Sequence, residues 1–333
     1  MSTGMDSIVV DIGGTNLRCG IFAKGQLQQV SRTKVNNFIN ASSAEPRALY
    51  QSFMDQLASA LSPYLRDYPD YPLALSFPGP ISPQGVVYSA PTLWGNHLQN
   101  IPFLEDCSAL LGRRVLLMND ISAAVWRYVE SQQDAFCIFT ISSGVGNKIF
   151  RQGNVLLGEL GQGGELGHHR VEYGDRALPC DCGGKGHLGA MASGRGLVQL
   201  AKHLAGEQGS SFARSYLGNL VQHNPAAITS EYLVIALKQD DPFCREVLVS
   251  SQQYLVQVMS SLYHAMGLQR FIFIGGFVAA LGDIYLSSLR QLLVQESWFG
   301  LTVEDMSRVC ELGALDDDHS LIGLGRYMEA HHG

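Results

Sequence analysis

The sequence has 333 residues, which exceeds the usual size of one hydrophobic core and predicts two domains. Apolar residues make up 46% and charged residues 16%, a balance typical of a soluble globular enzyme that excludes large disordered segments. The formal net charge is −7 and there is no Lys/Arg run, so we expect a small-molecule partner rather than a nucleic acid or an anionic membrane.

The sequence favours a cytoplasmic protein. No stretch approaches about 18 unbroken apolar residues, and residues 1–6 are polar and too short for a signal peptide. Five of the seven cysteines lie scattered in apolar contexts, as reduced core thiols do, and we assign them no chemistry. These five are Cys19, Cys107, Cys137, Cys244 and Cys310.

The chain begins with a predicted β-hairpin. A β-branched run at residues 7–10 stops at a glycine-containing turn and resumes at residues 17–22. Apolar residues then recur every four positions from Leu49 to Leu65, which predicts an amphipathic helix. A strand at residues 73–76 follows this helix.

A polar pair follows the next predicted strand, at residues 115–118. Asn119 and Asp120 stand at its carboxyl end, before a predicted helix at residues 122–129. The carboxyl ends of strands are where α/β folds keep their chemistry. An Asn-Asp pair before a helix is also a common N-cap, which is the alternative interpretation.

The second half of the chain repeats the opening pattern. A strand at residues 136–141, a glycine turn and a return strand from residue 148 predict a second hairpin, and hence two related halves. A buried strand at residues 270–274 leads through Gly275 and Gly276 into another helix.

Three further segments complete the prediction. Residues 243–266 form a long helix, residues 206–225 are rich in Ser, Gly and Asn and predict a surface excursion, and residues 321–328 form a short amphipathic helix.

Two histidines and two cysteines predict a structural zinc site. Their side chains are a tetrahedral N/S ligand set, and the glycines between them let the chain fold around an ion. The alternative is two buried thiols and two surface histidines. With zinc bound, Glu165, three residues before the first ligand, would be held rigidly. The four ligands are His168, Cys180, Cys182 and His187.

The glycine turns predict phosphate binding. Such turns expose consecutive backbone N–H groups that can surround phosphate oxygens, although a single Gly-Gly-Thr is equally consistent with a plain hairpin. Asp11 offers a carboxylate for a magnesium ion or its waters beside those phosphates. The candidate ATP-binding residues are Asp11, Gly13, Gly14, Thr15, Asn16, Ser143, Gly144, Gly146, Gly275 and Gly276.

Asp120 is the candidate general base, because phosphoryl transfer to an alcohol needs a carboxylate near the attacking hydroxyl. Asn119 would orient the substrate. Glu165 and His168 add polar groups that suit hydroxyls, and together these residues favour a polyol substrate.

These motifs resemble those of the ROK family of sugar kinases and sugar-responsive repressors. The resemblance covers nearly the whole chain and implies that Gly79, Asn119, Glu165 and His168 contact the sugar, while Asp120 is the base. It also implies that His168 additionally serves as a zinc ligand, and that the protein uses ATP and forms a homodimer. The segments that carry the resemblance are residues 11–18, 78–80, 119–120, 164–168, the Cys/Gly stretch from Cys180, and residues 316–327.

The resemblance implies an α/β fold with two lobes, of the actin/hexokinase-like (ribonuclease H-like) type, with a structural zinc site. We expect a small lobe at residues 1–118, completed by a C-terminal helix at residues 320–333, and a large lobe at residues 119–319 that carries the zinc-binding loop.

The sequence departs from the family pattern in three places. The usual third Cys is His187, which zinc tolerates as a ligand. Position 189 is Gly, where the family usually has a Glu that binds ring hydroxyls near the anomeric carbon. The second phosphate loop reads Ser-Gly-Val-Gly-Asn-Lys, ending at Lys148, which either places a cation near the phosphates or points to solvent.

The first expectation is therefore an ATP-dependent, glucokinase-like enzyme acting on the primary hydroxyl of a hexose or hexose-like polyol. The variant phosphate loop is similar to that of kinases of seven-carbon cyclitols and amino sugars in natural-product metabolism, which is one alternative. Another is a non-catalytic ROK regulator, although repressors of this family resemble kinases with an added N-terminal helix-turn-helix domain, and here the first predicted strand begins at Ser7. A zinc hydrolase is disfavoured because protein would fill all four ligand positions.

Overall fold

Two mixed β-sheets with flanking helices form the framework of this protein. The computed structural model describes residues 5–41, 45–207 and 209–332. Parts of the predicted segments lie outside the described residues, namely positions 1–4, 42–44, 208 and 333.

The strands are β1 (Ser7–Ile12), β2 (Asn16–Ala23), β3 (Gln26–Lys34), β4 (Leu73–Phe77), β5 (Val87–Ala90), β6 (Gly95–Ile101), β7 (Val115–Asn119), β8 (Ala135–Ile141), β9 (Val145–Arg151), β10 (Asn154–Val155), β11 (Phe271–Ile274) and β12 (Cys310–Leu312). The helices are α1 (Pro46–Asp67), α2 (Pro91–Trp94), α3 (Phe103–Leu111), α4 (Asp120–Trp126), α5 (Leu188–Ala192), α6 (Gly194–Glu207), α7 (Gly209–Arg214), α8 (Tyr216–Leu220), α9 (Ser230–Lys238), α10 (Pro242–Met266), α11 (Gly276–Leu281), α12 (Asp283–Glu296), α13 (Val303–Arg308) and α14 (His319–His332). Short 3-10 helices occur at Leu166–His168 and Pro225–Ala227.

The first sheet has the strand order β3-β2-β1-β4-β7. The hairpin of β1 and β2 is antiparallel, as predicted, whereas β4 pairs in parallel with both β1 and β7. Every residue of β1 and β4 is buried, which explains their continuous apolar runs. The carboxyl ends of β1, β4 and β7 meet at one edge of the sheet, where Asp11, Ser76 and Asn119 lie.

The second sheet has the order β10-β9-β8-β11-β12 and repeats this design. Its hairpin, β8 with β9, is antiparallel, and β11 lies parallel to both β8 and β12. The prediction of two related halves is confirmed at the level of sheet topology.

The chain divides into two compact units, each with its own core. The first consists of the described residues of Met1–Gln132, Val155–Gly163 and Asp318–Gly333, and the second of Gln133–Asn154 and Gly164–Asp317. The predicted division after residue 118 is therefore wrong for residues 119–132 and 155–163, which belong to the first unit. Residues 119–132 stay there because α4 continues directly from β7 and packs along α14. The C-terminal helix belongs to the first unit, as expected.

Aromatic rings fill much of the first core. Phe53, Phe77, Trp94 and Phe103 are nearly or fully buried, and their neighbouring ring centroids lie 4.9–6.4 Å apart. In the second unit, α10 packs against both α6 and α12. These two cores explain why the long apolar periodicities of α1 and α10 could be recognised from the sequence.

The predicted surface excursion at residues 206–225 is wrong. The described part contains α7 and α8, and Phe212, Leu217 and Val221 are buried in the core of the second unit. These apolar residues are too few and too widely spaced in a polar stretch to give a periodic signal. Strand β3 was also missed, because it pairs with β2 while most of its side chains are exposed.

In the part of the chain that the structure describes, no helix is both long and apolar enough to cross a membrane.

Candidate active site

The turn between β1 and β2 is held in one shape by its own backbone. The N–H of Gly13 donates to the carbonyl of Asn16 (2.8 Å), and the Asn37 side chain donates to the carbonyl of Gly14 (2.6 Å). A Cβ atom on Gly14 would lie 2.5 Å from a methyl carbon of Thr92, so any other residue there requires Thr92 to shift. Thr15 is exposed at the tip, which suits its predicted contact with phosphate.

Asp11 lies in a charged network that the sequence did not predict. Arg18 donates to Asp11 Oδ2 from Nη2 (2.7 Å) and Nε (3.2 Å), and Ser76 donates to Oδ1 (2.5 Å). Arg18 also pairs with Asp318 at 3.1 Å. Asp11 is only 8% exposed, so direct coordination of magnesium would compete with these hydrogen bonds. The contact between Asp11 and Arg18 could have been predicted from the hairpin, because the two residues are cross-strand neighbours and their opposite charges attract.

Asn119 and Asp120 form one hydrogen-bonded group with the backbone of Gly79. Asn119 Oδ1 accepts from the N–H groups of Ile121 and Ser122 (both 3.1 Å), so Asn119 is an N-cap of α4. Its Nδ2 donates to the Gly79 carbonyl (3.0 Å) and to Asp120 Oδ1 (2.9 Å). Asp120 Oδ1 also accepts from the Ile121 N–H (2.8 Å). The capping interpretation is thus correct for Asn119, and it fixes the carboxylate beside it.

The structure brings Asp11 and Asn119 to the same edge of the first sheet. Asp11 is in register with Ser76, and Phe77 is in register with Asn119. Two strand spacings separate the residues, which is roughly 10 Å. Glycine turn, acidic residue and capping pair therefore all lie at the carboxyl ends of neighbouring strands.

The second glycine turn lies beside Gly275 and Gly276 within the second unit. The N–H of Gly194 donates to the carbonyl of Ser142 (2.8 Å), which anchors the turn to the start of α6. Gly275 has φ +102° and approaches the end of β8 so closely that a Cβ atom would lie 2.6 Å from the Ile141 carbonyl oxygen. Ser143, Gly144, Gly146, Gly275 and Gly276 are thus brought together at the carboxyl ends of β8 and β11.

Two consecutive residues of β9 contact Glu165 and the residue that follows it. Asn147 Oδ1 accepts from the Leu166 N–H (2.9 Å), and Lys148 Nζ lies 3.1 Å from Glu165 Oε1. Lys148 is only 2% exposed, so the alternative that it points to solvent is wrong, and its partner is Glu165. The alternative of a cation near the phosphates stays a prediction. The signal was available in part, because a lysine within a buried strand needs an anionic partner.

The four predicted zinc ligands converge. One donor atom from each lies within 4.8 Å of the others in His168, Cys180, Cys182 and His187. Cys180 Sγ is 3.7 Å from His168 Nδ1, and Cys182 Sγ is 3.3 Å from His187 Nδ1. Zn–N and Zn–S bonds of about 2.0–2.3 Å at tetrahedral angles place donor atoms roughly 3.3–3.8 Å apart. The donor set and these two sulfur–nitrogen distances therefore fit a tetrahedral metal ion.

Arg195 connects the segment that carries Cys180 and Cys182 to the second glycine turn. Arg195 pairs with Asp181 at 2.7 Å and donates through Nε to the carbonyl of Ser143 (2.7 Å). Burial raises the pKa of the Cys180 thiol, and a bound cation would act in the opposite direction by favouring the thiolate.

Gly189 borders a cavity of about 580 Å³ in the second unit. Its walls include Gly144, His168, Ser193 and Arg195. A Cβ atom on Gly189 would lie 3.1 Å from the Gly167 carbonyl oxygen, so any side chain here requires a shift of a few tenths of an ångström. Gly189 and His168 thus line the same cavity, and position 189 contributes no carboxylate to it.

The other cysteines are core thiols, as the sequence indicated. Burial raises the pKa of Cys19 and Cys107 to about 12 and that of Cys310 to about 11. The pKa values of Cys137 and Cys244 are also raised by burial. These thiols stay protonated at neutral pH and are poor nucleophiles.

Comparison with known proteins identifies the class and then the family. The structure superimposes with a TM-score of 0.73 on a ROK family glucokinase from Streptomyces griseus, solved with glucose and AMPPNP; the match covers 96% of this chain and 98% of that chain at 22% identity. This confirms the two-lobed α/β fold of hexokinase-like sugar kinases. The ROK family model matches residues 7–324, and the chain belongs to the ROK family.

The relatives of this chain include a C(7)-cyclitol 7-kinase and a 2-epi-5-epi-valiolone 7-kinase. The chain is 40% identical over 330 residues to a C(7)-cyclitol 7-kinase of Streptomyces hygroscopicus subsp. limoneus, covering 98% of this chain and 94% of that protein. It is 26% identical over 256 residues to a 2-epi-5-epi-valiolone 7-kinase of Actinoplanes sp., covering 73% of this chain and 69% of that protein.

Proposed function

We propose that this chain is an ATP-dependent kinase that phosphorylates the primary hydroxyl group of a C7-cyclitol. The single observation that carries the proposal is 40% identity over nearly the full chain to a protein named for this activity. The glucokinase-like expectation belongs to the same reaction class. The absence of a carboxylate at Gly189 supports the cyclitol within that class, since a cyclitol lacks the anomeric hydroxyl of a hexose and needs no acceptor for it.

Asp120 is the proposed general base. It accepts the proton of the attacking hydroxyl while that oxygen forms its bond to the γ-phosphorus of ATP and the bond to the bridging oxygen breaks, releasing ADP. Hydrogen bonds from Asn119 and the Ile121 N–H orient the carboxylate before substrate arrives. Gly79, Asn119, Glu165 and His168 are the proposed contacts to the other hydroxyls of the substrate.

The glycine turns are the proposed phosphate-binding elements. Their N–H groups and the Thr15 hydroxyl supply donors to the phosphate oxygens of ATP. Magnesium, when bound with ATP, neutralises charge that develops on the phosphates. Because Arg18 and Ser76 hold both oxygens of Asp11, we place Asp11 within reach of the waters of such an ion rather than of the ion itself.

The proposed metal is a structural zinc ion bound by His168, Cys180, Cys182 and His187. Two thiolates and two imidazoles fill a tetrahedral shell and leave no position for a reactive water. His168 Nδ1 lies 3.7 Å from Cys180 Sγ, so this nitrogen would bind the zinc and Nε2 would be available to a substrate hydroxyl.

Gly189→Glu should shift substrate preference toward glucose or mannose. A carboxylate at this position restores an acceptor for hydroxyls near the anomeric carbon and fills space that a cyclitol would use. We expect a change of about 1–3 kcal/mol in relative kcat/KM, the scale of gaining or stranding one polar contact.

Gly189→Ala is the matched control, because it carries the same contact with the Gly167 carbonyl without the carboxylate. The proposal predicts that Gly189→Ala changes stability but leaves relative preference nearly unchanged. If the wild type already prefers glucose, and Gly189→Glu is merely worse on every substrate, the role assigned to Gly189 is wrong.

An ADP-release screen tests the proposed function. The acceptors are 2-epi-5-epi-valiolone, D-glucose, N-acetyl-D-glucosamine and a disaccharide, each with ATP and magnesium. We expect the highest kcat/KM with the cyclitol. If none of these acceptors stimulates ADP release although a sugar binds, the non-catalytic regulator is favoured instead.

The resemblance to the ROK family implies a homodimer, and sedimentation velocity tests this proposal. The cytoplasmic location stays a prediction.

A further inference from the structure

Lys148 is an unusual residue in the second unit. It is the one buried lysine among those that the structure describes, and it is only 2% exposed. A lysine side chain is rarely buried unless its ammonium group is paired. Its burial on β9, next to residues 164–168, which include the proposed substrate contacts Glu165 and His168, therefore calls for a specific partner.

Gly164 provides the space through which Lys148 reaches that partner. A Cβ atom on Gly164 would lie 2.8 Å from Lys148 Cδ, 3.2 Å from its Nζ and 2.7 Å from the Asn147 carbonyl oxygen. Gly164 also has φ +80°, which favours glycine. The backbone at Gly164 and the length of Lys148 are thus complementary, and the lysine stem lies directly against the loop.

The ammonium group of Lys148 forms an ion pair with the carboxylate of Glu165. Lys148 Nζ lies 3.1 Å from Glu165 Oε1 and 3.4 Å from the carbonyl of Gly164. The two ends of the pair differ in environment, because the side chain of Lys148 is 3% exposed and that of Glu165 is 47% exposed. The buried cation thus holds one oxygen of a carboxylate that is still accessible to a ligand.

We propose that Lys148 is a positioning residue for substrate recognition, which fixes the Glu165 carboxylate so that it can accept a hydrogen bond from a hydroxyl of the substrate. This rests on the proposed kinase function and on the assignment of Glu165 to the substrate. The ion pair orders a flexible carboxylate before binding, so the substrate does not bear that entropic cost. A carboxylate acceptor also makes a stronger hydrogen bond than a neutral one.

Lys148→Met tests this directly, because methionine fills a similar apolar volume without a donor. Glu165 contacts hydroxyls that are not phosphorylated, and such contacts stabilise the bound substrate and the transition state alike. We expect KM for 2-epi-5-epi-valiolone to rise by about 10- to 100-fold, the range for loss of a charged hydrogen bond. We expect kcat to change by less than about threefold.

Glu165→Gln and the double variant show whether Lys148 acts through Glu165. With no carboxylate left to hold, Lys148→Met should raise KM by less than about threefold in the Glu165→Gln background, which is the non-additivity expected of residues that act as a unit. Lys148→Gln keeps a neutral donor in the same space, and its KM should fall between those of the wild type and Lys148→Met. It also serves as the test variant if Lys148→Met does not fold.

Lys238→Met is the matched control, because Lys238 is exposed at the end of α9 and the change removes the same charge. It should leave KM unchanged. Two results would show that Lys148 has only a structural role while the wild type still phosphorylates the cyclitol and the kinase assignment stands. One is a normal KM for Lys148→Met. The other is that the effects of Lys148→Met on kcat and KM simply add to those of Glu165→Gln. If the wild type phosphorylates none of the acceptors, both proposals fall together.

Discussion

Asp120→Asn should reduce turnover by about 100-fold or more, the usual scale of general-base catalysis. The amide oxygen of asparagine can accept the same hydrogen bonds from Asn119 and from the Ile121 N–H, so the fold and the start of α4 should survive. An amide cannot accept the proton of the attacking hydroxyl. We therefore expect kcat to fall while the dissociation constant of the substrate, measured by calorimetry, changes little.

Asp70→Asn is the control for this experiment, because Asp70 is exposed and the chemical change is identical. Its kcat should equal that of the wild type. Turnover of Asp120→Asn within about threefold of the wild type would remove Asp120 from the role of base.

Cys182→Ser should abolish stoichiometric zinc binding and lower the thermal stability of the protein. A structural zinc contributes folding free energy directly, so we expect one zinc per chain in the wild type and a fall of about 5 °C or more in the unfolding midpoint of the variant. Elemental analysis and differential scanning calorimetry give the two readouts.

Lys185→Ser is the matched control, because Lys185 is exposed in the same loop and is no predicted ligand. It should retain its zinc and its unfolding midpoint. Freshly purified wild-type protein without zinc would contradict the proposed metal site, however well the four side chains converge.

The sequence predicted much of the fold because its strongest signals are local. The β-branched run of β1, the four-residue periodicity of α1 and the glycine turns all depend on neighbouring residues. Strand β3 could not be found in this way, because its place in the sheet comes from backbone pairing with β2 rather than from an apolar pattern. The burial of Phe212 and Leu217 likewise depends on packing with distant helices.

The candidate site shows the same limit. Asn119, Asp120 and the four metal ligands were recognisable because their residue types and spacing carry chemistry. The side chains that orient these candidate residues could not be recognised from the sequence. Arg18 and Ser76 reach Asp11 across strand pairs. Lys148 reaches Glu165 through space that is open because Gly164 has no side chain. Such contacts depend on tertiary geometry, and the sequence alone offers only the charge of the residues as a clue.

The central claim is transfer of phosphate from ATP to the primary hydroxyl of a C7-cyclitol. Phosphorus NMR of the product formed from 2-epi-5-epi-valiolone, ATP and magnesium tests it most directly. We predict a new phosphomonoester resonance split by the two protons of a CH2 group, and Asp120→Asn should form this product more slowly, by about 100-fold or more. A phosphorus atom coupled to a single ring proton, or no phosphomonoester from the cyclitol, would contradict the account.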